Sequence, residues 1–236
     1  MYIRHTFRLK QTSVSILARE REHIAVAISA IVHHRGELEG YIQRHPFFAI
    51  TLEPCDVERD APEVVHRMAE AGWHMGVGPM AAVAGTIASL AAEAMRDEGA
   101  TLAVVDNGGD IALIADEPLC IGIYAGTSAV EGFAFELQPT SRVLGICTSS
   151  GTLGHSISFG MADAATVLAH DVSIADAAAT RLGNEVVGEL SDEVFDPLRG
   201  KRISGAMVIK GDRVAMFGSL PRIVRATVDP ELITRG

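Results

Sequence analysis

The stretch TLAVVDNGGDIALIA at residues 101–115 sets two apolar runs on either side of the Gly108-Gly109 pair. Tandem glycines supply the positive φ angles a tight hairpin needs, and the flanking runs are rich in β-branched and aliphatic residues. The pattern predicts strands at 101–106 and 111–115 in antiparallel pairing. Working outward, residues 119–124 and 143–148 read as further strands, and 203–209 and 213–217 flank Gly211-Asp212, the strongest hairpin signal in the chain. Towards the N-terminus, Phe7, Leu9, Val14, Ile16 and Leu17 sit among polar neighbours in 4–18, giving one long or two short strands. Helical spacing then takes over: Ile24, Ala27, Ile28, Ile31 and Val32 predict a helix from about Glu20 to Gln43. His45-Pro46 ends it, and Phe47 to Leu52 reads as a short apolar strand. Pro62 opens a second helix running to Trp73, and a third starts after Gly78-Pro79 and stops at Gly99. A fourth covers Ser173 to about Asn184. Hairpins interspersed with helices define an α+β fold with antiparallel sheets. No linker divides the chain, so residues 1–236 are expected to form one domain, with 125–141 and 188–202 as excursions between elements.

Composition narrows the function. The chain has 236 residues, 48% hydrophobic and 21% charged, enough to bury a core without staples. A formal charge of −10 argues against nucleic acid as a partner, since backbone binding needs clustered Lys and Arg. Aromatic residues at 5% leave few platforms for stacking bases. An anionic ligand would therefore need backbone N–H groups, a helix N-terminus or a divalent cation. Cys55, Cys120 and Cys147 form no C-x-x-C pair and are expected as reduced thiols in the core. The start, MYIRHTFRLK, has no apolar signal-peptide core, and no run of about 18 apolar residues occurs. These features predict a cytoplasmic protein that does not enter a membrane.

Four segments are suited to chemistry. In Asp106-Asn107-Gly108-Gly109-Asp110 the glycines expose backbone N–H groups between carboxylates that can hold a cation or ligand hydroxyls, although the same letters are ordinary hairpin chemistry. In TSSGTLGHS at 148–156, hydroxyl donors and glycines follow an apolar strand, as a phosphate cradle requires and as a polar surface loop also would. His155 there can act as a base or bond within the turn. On a helix, Asp176 and Thr180 stand at i,i+4 with Cβ atoms about 5–6 Å apart, so both oxygens can reach one cation, for which magnesium is the natural choice. The alternative is a cap, with Ser173 at the helix start and Asp176 at N3. Finally, GVGPMAAVAGT at 76–86 opens a helix whose N–H groups can meet an anion. It lacks the G-K-[ST] of a Walker loop and fails as G-x-G-x-x-G. Its face of Ala81, Ala84, Gly85, Ala88, Ala91 and Ala92 is small enough to admit another backbone closely.

In register, GVGPMAAVAG at 76–85, NGGDI at 107–111, TSSGTLGHS at 148–156 and ADAAATRLGN at 175–184 resemble the ApbE-like superfamily of magnesium-dependent flavin transferases. The likeness is nearest to a cytoplasmic branch of it and covers residues 44–186. The resemblance implies a T-fold-like α+β architecture and enzymes that split the pyrophosphate of FAD to place FMN on a Thr or Ser of a protein acceptor. By the same resemblance, Asp176, Thr180 and the Ala81 carbonyl match the metal site. Gly78, Asn107, Gly108, Gly109, Asp110, Thr148, Ser149, Ser150 and Gly151 match the ligand-binding turns, and His155 is a further ligand contact. The family's G-G-I-A-K-G is replaced here by Gly78-Pro79-Met80-Ala81-Ala82-Val83, so Ala82 stands where the family has Lys, and the H-I-I-D-P segment is absent. Three readings follow: an enzyme acting on the pyrophosphate of FAD or a related nucleotide; a flavin, nucleotide or pterin-binding protein without transferase activity; or an assembly protein, a homo-oligomer built on the small-residue face.

Overall fold

The computed structural model describes residues 2–10, 12–123, 132–150 and 160–226. The chain opens with the hairpin β1 (Ile3–Leu9) and β2 (Thr12–Ala18), followed by α1 (Arg21–Arg44), α2 (Phe47–Ile50) and α3 (Glu63–Met75). A 3-10 turn at Pro79–Ala82 leads directly into α4 (Val83–Asp97). Then come β3 (Ala103–Asn107), β4 (Asp110–Ala115), β5 (Leu119–Ile123), β6 (Phe133–Leu137), β7 (Thr140–Ser149) and β8 (Ala164–Ala169). The C-terminal part holds α5 (Val172–Glu185), a 3-10 segment at Asp192–Leu198, and β9 (Gly205–Lys210), β10 (Arg213–Gly218) and β11 (Arg222–Arg225).

The strands form an eight-stranded sheet in the order β1-β2-β3-β4-β7-β8-β9-β10 and a three-stranded sheet β11-β6-β5, with every pairing antiparallel. Period-two alternation divides the large sheet between two cores. Ala103, Val105, Ala112 and Ile114 join the cluster built with the helices, whereas Leu102, Val104, Leu113 and Ala115 join one built with Phe135 and Leu137 of the small sheet. The α+β class with antiparallel sheets is as the sequence implies. On the helical side α4 packs against α1, α5, β3 and β4, and α5 lies against β7 and β8. Among the described residues no single helix is long and apolar enough to cross a membrane.

Four expectations need correction. Residues 47–52 do not form a strand: Pro46 has αR angles, and α2 is a single helical turn that buries Phe48. β6 falls inside the stretch read as an excursion, and the Asp192–Leu198 segment winds into 3-10 structure inside another. Cys147 is buried as expected, but Cys120 is exposed on β5. The cap of α5 is Asp171, whose Oδ1 accepts from the Ile174 amide at 3.1 Å, so Asp176 lies two residues beyond N3 and does not cap its own helix.

Candidate functional site

The hairpin turn fixes the first part of the site. Asn107 pairs with Asp110 across Gly108 (φ 69°) and Gly109 (φ 103°), the double positive φ of a tight two-residue turn. Asp106 Oδ1 accepts from the Gly109 amide at 2.9 Å and closes the turn. The alternation that sends Val105 and Ala112 to the helical side sends Asn107 and Asp110 there too. Asn107 is buried, and its Nδ2 donates to the Ala84 carbonyl at 3.1 Å, tying the turn to the first turn of α4. Asp110 Oδ1 accepts from the Thr148 amide at 3.3 Å, which ties the same turn to the end of β7.

α5 brings in the second carboxylate. Asp176 is buried, and its Oδ2 accepts from the Gly85 amide at 2.7 Å. α4 has no capping side chain of its own, because Ala82 occupies its N-cap position, so a carboxylate from another helix takes over an N-terminal amide. The anion that this helix start was read as able to meet is, at Gly85, the protein's own Asp176. Thr86 Oγ1 donates to Ser173 Oγ at 2.8 Å one turn earlier on α5, locking the two helices in register. The glycine is required: a Cβ on Gly85 would stand 2.7 Å from the Asp176 Cβ and 3.0 Å from the Val172 carbonyl oxygen. This is the close backbone approach that the small-residue face allows.

Both carboxyls are perturbed in the same direction. Burial raises Asp176 above its ordinary value against the pull of the Gly85 and Ala84 amides. Burial raises Asp110 as well, Asp176 and Asp106 raise it further by repulsion, and the Thr148 amide only partly opposes this. Asp110 is densely surrounded while keeping a partial opening to solvent, which gives a ligand a way to reach it. Among the described residues, the leading influences on the two carboxyls are burial, neighbouring carboxylates and backbone amides. Cys147, fully buried, lies beside them: its thiol donates to the Val172 carbonyl at 3.7 Å and is pushed up by burial and by the charges of Asp110 and Asp176. The sequence places Cys147 in the core but not at this site, although the alternation of Val143, Gly145 and Cys147 along β7 signals its side.

The other expected residues are placed unevenly. Thr180 follows Asp176 by one turn of α5, half-buried on the same helix face. Ala81 and Gly78 lie in and before the 3-10 turn that packs on α5, with the Gly78 carbonyl accepting from the Ala81 amide at 3.1 Å. Gly78 is also pressed onto the Thr51 backbone. Ser149 is buried at the end of β7, and Ser150 follows it. The Thr148 side chain turns away from the carboxylates, its hydroxyl 3.0 Å from that of Thr166, so its amide alone faces Asp110. Gly151 and His155 lie outside the described residues. Two carboxylates, a hydroxyl and a backbone carbonyl are hard oxygen donors of the kind that suits magnesium.

A separate cleft of about 280 Å³ opens between α3, α4 and the start of α5, lined in part by Arg67, Ser89, Glu93 and Ser173. Its Arg67 is already engaged by Glu93 at 2.7 and 2.8 Å and by Glu63, so it offers no ready cation for a phosphate.

The sheet order and the helical layer are those of an ApbE-like fold. The apo flavinyl transferase ApbE of Pseudomonas stutzeri aligns with a TM-score of 0.60 over 94% of this chain and 95% of that one, at 10% identity. The ApbE protein of Thermotoga maritima aligns at 0.58 over 100% of both, at 13% identity. At these identities the likeness establishes the fold. The chain belongs to the UPF0280 family. It is 52% identical to a UPF0280 protein of Methanosarcina barkeri over 99% of this chain and 93% of that one, and 52% identical to one of Methanothrix thermoacetophila over 99% and 100%. A family profile described as AbpE bacteria matches residues 3–195.

Proposed function

We propose that the junction of β3–β4, β7, α4 and α5 holds a magnesium ion and the pyrophosphate of FAD or a related nucleotide, as an enzyme of flavin-transferase or hydrolase type. The observation that carries this reading is the meeting of Asp110 and Asp176, two carboxyls raised above their ordinary values by burial, Asp110 further by the charge of Asp176. Uncompensated buried charge is costly, and a divalent cation removes the cost. Asp176, anchored by the Gly85 amide, and Thr180 one turn on would hold the ion together with the Ala81 carbonyl. A bound magnesium supplies charge neutralisation at phosphoryl oxygens. Gly78, the Asn107–Asp110 turn and residues 148–151, with His155, would orient the phosphates. The ligand is a small phosphate-bearing molecule, and a protein hydroxyl is the natural acceptor. The apo flavinyl transferase of similar fold supports flavin as the first ligand to try.

A second reading, binding without transfer, is favoured by one residue: Ala82, fully buried, stands where the transferase motif has Lys. Calorimetric titration with magnesium, run beside chromatography of FAD incubated with the protein, separates the two. The enzyme reading requires magnesium binding and appearance of FMN or an FMN-modified acceptor. The binding reading requires magnesium-dependent flavin retention without turnover. In Asp176→Asn and Thr180→Val the magnesium affinity should collapse while the fold persists, because Asn still accepts from the Gly85 amide and Val is nearly isosteric with Thr. Unchanged magnesium affinity in both variants overturns the metal assignment, and with it the case for pyrophosphate chemistry.

A further inference from the structure

A second donor cluster lies on the surface of α1, away from the oxygen site. His33 and His34 are adjacent, and Glu37 follows them at i+4 and i+3, so its carboxylate falls within reach of both imidazoles. The side chains have converged: His34 Nδ1 is 2.9 Å from Glu37 Oε2, and His33 Nε2 is 3.6 Å from Glu37 Oε1. The rings meet edge to face with centroids 4.9 Å apart. Among the described residues these three bring their ligand atoms within 4.8 Å of one another.

With metal–nitrogen and metal–oxygen bonds of about 2.0–2.1 Å in a tetrahedron, neighbouring ligand atoms stand about 3.3 Å apart, so three ligand atoms already within 4.8 Å need only small side-chain rotations to close on one ion. The His34 side chain is 17% exposed, so one imidazole is already held against the protein and loses little freedom on binding. Lys10 and Arg35 bind a different acid, Glu39, at 2.6 and 2.9 Å. The geometry points to a surface site for a divalent transition-metal ion of the zinc type, ligated by His33, His34 and Glu37 with its remaining position open to water. Imidazole nitrogen selects zinc, nickel or copper over magnesium, so this site and the all-oxygen site differ in the metal each takes.

The test uses the untagged, chelator-stripped full chain, titrated with zinc by calorimetry and with cobalt by visible absorption in excess magnesium. One equivalent of zinc should bind at this site. Its affinity should fall at least about tenfold in His33→Ala and again in His34→Ala, since loss of a ligand must cost no less than loss of a group that merely orients one. Both positions lie on a helix where Ala is well tolerated, and circular dichroism verifies folding. Glu37→Gln should weaken binding while keeping the side chain's shape, and Asp176→Asn should leave zinc binding unaltered. Wild-type affinity in both histidine variants, or zinc binding abolished by Asp176→Asn, overturns the site.

Discussion

Replacing Gly85 by Ala places a methyl group where α4 meets α5. The new Cβ would lie 2.7 Å from the Asp176 Cβ, 3.0 Å from the Val172 carbonyl oxygen and 3.1 Å from Asp176 Oδ2. Carbon atoms settle at about 3.5–4.0 Å, so α5 must retreat by about 1 Å. Overpacking of this kind costs about 1–3 kcal/mol. Stretching the 2.7 Å bond from the Gly85 amide to Asp176 removes a helix cap worth about 1 kcal/mol. The better helix propensity of Ala returns about 1 kcal/mol, leaving a net loss of about 1–3 kcal/mol. For a chain of this size that lowers Tm by about 2–12 °C. Gly36, within α1, is the internal control, because a Cβ there meets nothing within 4 Å. Gly36→Ala should therefore gain about 0.5–1 kcal/mol and raise Tm by about 1–4 °C. Thermal melts of both variants followed by circular dichroism give the signs, and a magnesium titration of Gly85→Ala reads whether Asp176 has moved. If Gly85→Ala melts above the parent protein, or binds magnesium like it, the packing argument at the α4–α5 junction is wrong.

Glu93→Gln should change acid stability with a definite sign. Burial pushes the Glu93 carboxyl up, but hydrogen bonds from Arg67 and Ser89 outweigh it and hold the group below the usual carboxylate range. Its contribution is therefore present above about pH 4.5 and lost as pH falls through the depressed value, so urea melts of parent and variant should converge at low pH and differ at pH 7. A gap that widens on acidification would refute this. Thiol labelling of the native protein should modify exposed Cys120 quickly and spare Cys147, which is buried with its thiol pushed up, until denaturant is added. Prompt native labelling of Cys147 would disprove its burial. Asn107→Ala should cost about 0.5–1.5 kcal/mol in a thermal melt, since it removes the bond by which the turn holds the Ala84 carbonyl at the start of α4. No loss would mean that the hairpin is not anchored to α4 through this bond.

What the sequence reveals depends on whether the physical cause is local. The β3–β4 and β9–β10 hairpins are legible because their turns require glycine, and α1, α3, α4 and α5 because each has an apolar stripe at helical spacing. β8 escapes: every residue from Ala164 to Ala169 is buried, so the strand lacks the alternation that marks one-sided burial. β6 and β11 are short and pair with each other across the chain, which no nearby turn announces. α2 is one turn long, too short for a period to be recognised. The site divides in the same way. Asp176 and Thr180 stand out as an i,i+4 pair on a helix, but the partner of Asp176 is an amide 91 positions earlier in the chain, and no local pattern encodes that meeting.

This long-range contact bears directly on the two alternatives the sequence leaves open for Asp176, cap or metal ligand. The structure makes it a cap, though of α4 and not of its own helix, and capping does not exhaust it. An ionised carboxylate offers about four lone-pair sites, so accepting from backbone amides leaves capacity for a cation. A cap alone would sit most cheaply at the surface, where water shares the desolvation. Here the group is buried, and its charge raises the neighbouring Asp110 carboxyl, an arrangement that is costly unless compensated. Capping explains where Asp176 points but not why Asp110 faces it. The cation proposed above would account for both, and Gly85 is what lets α5 come close enough for Asp176 to reach the start of α4.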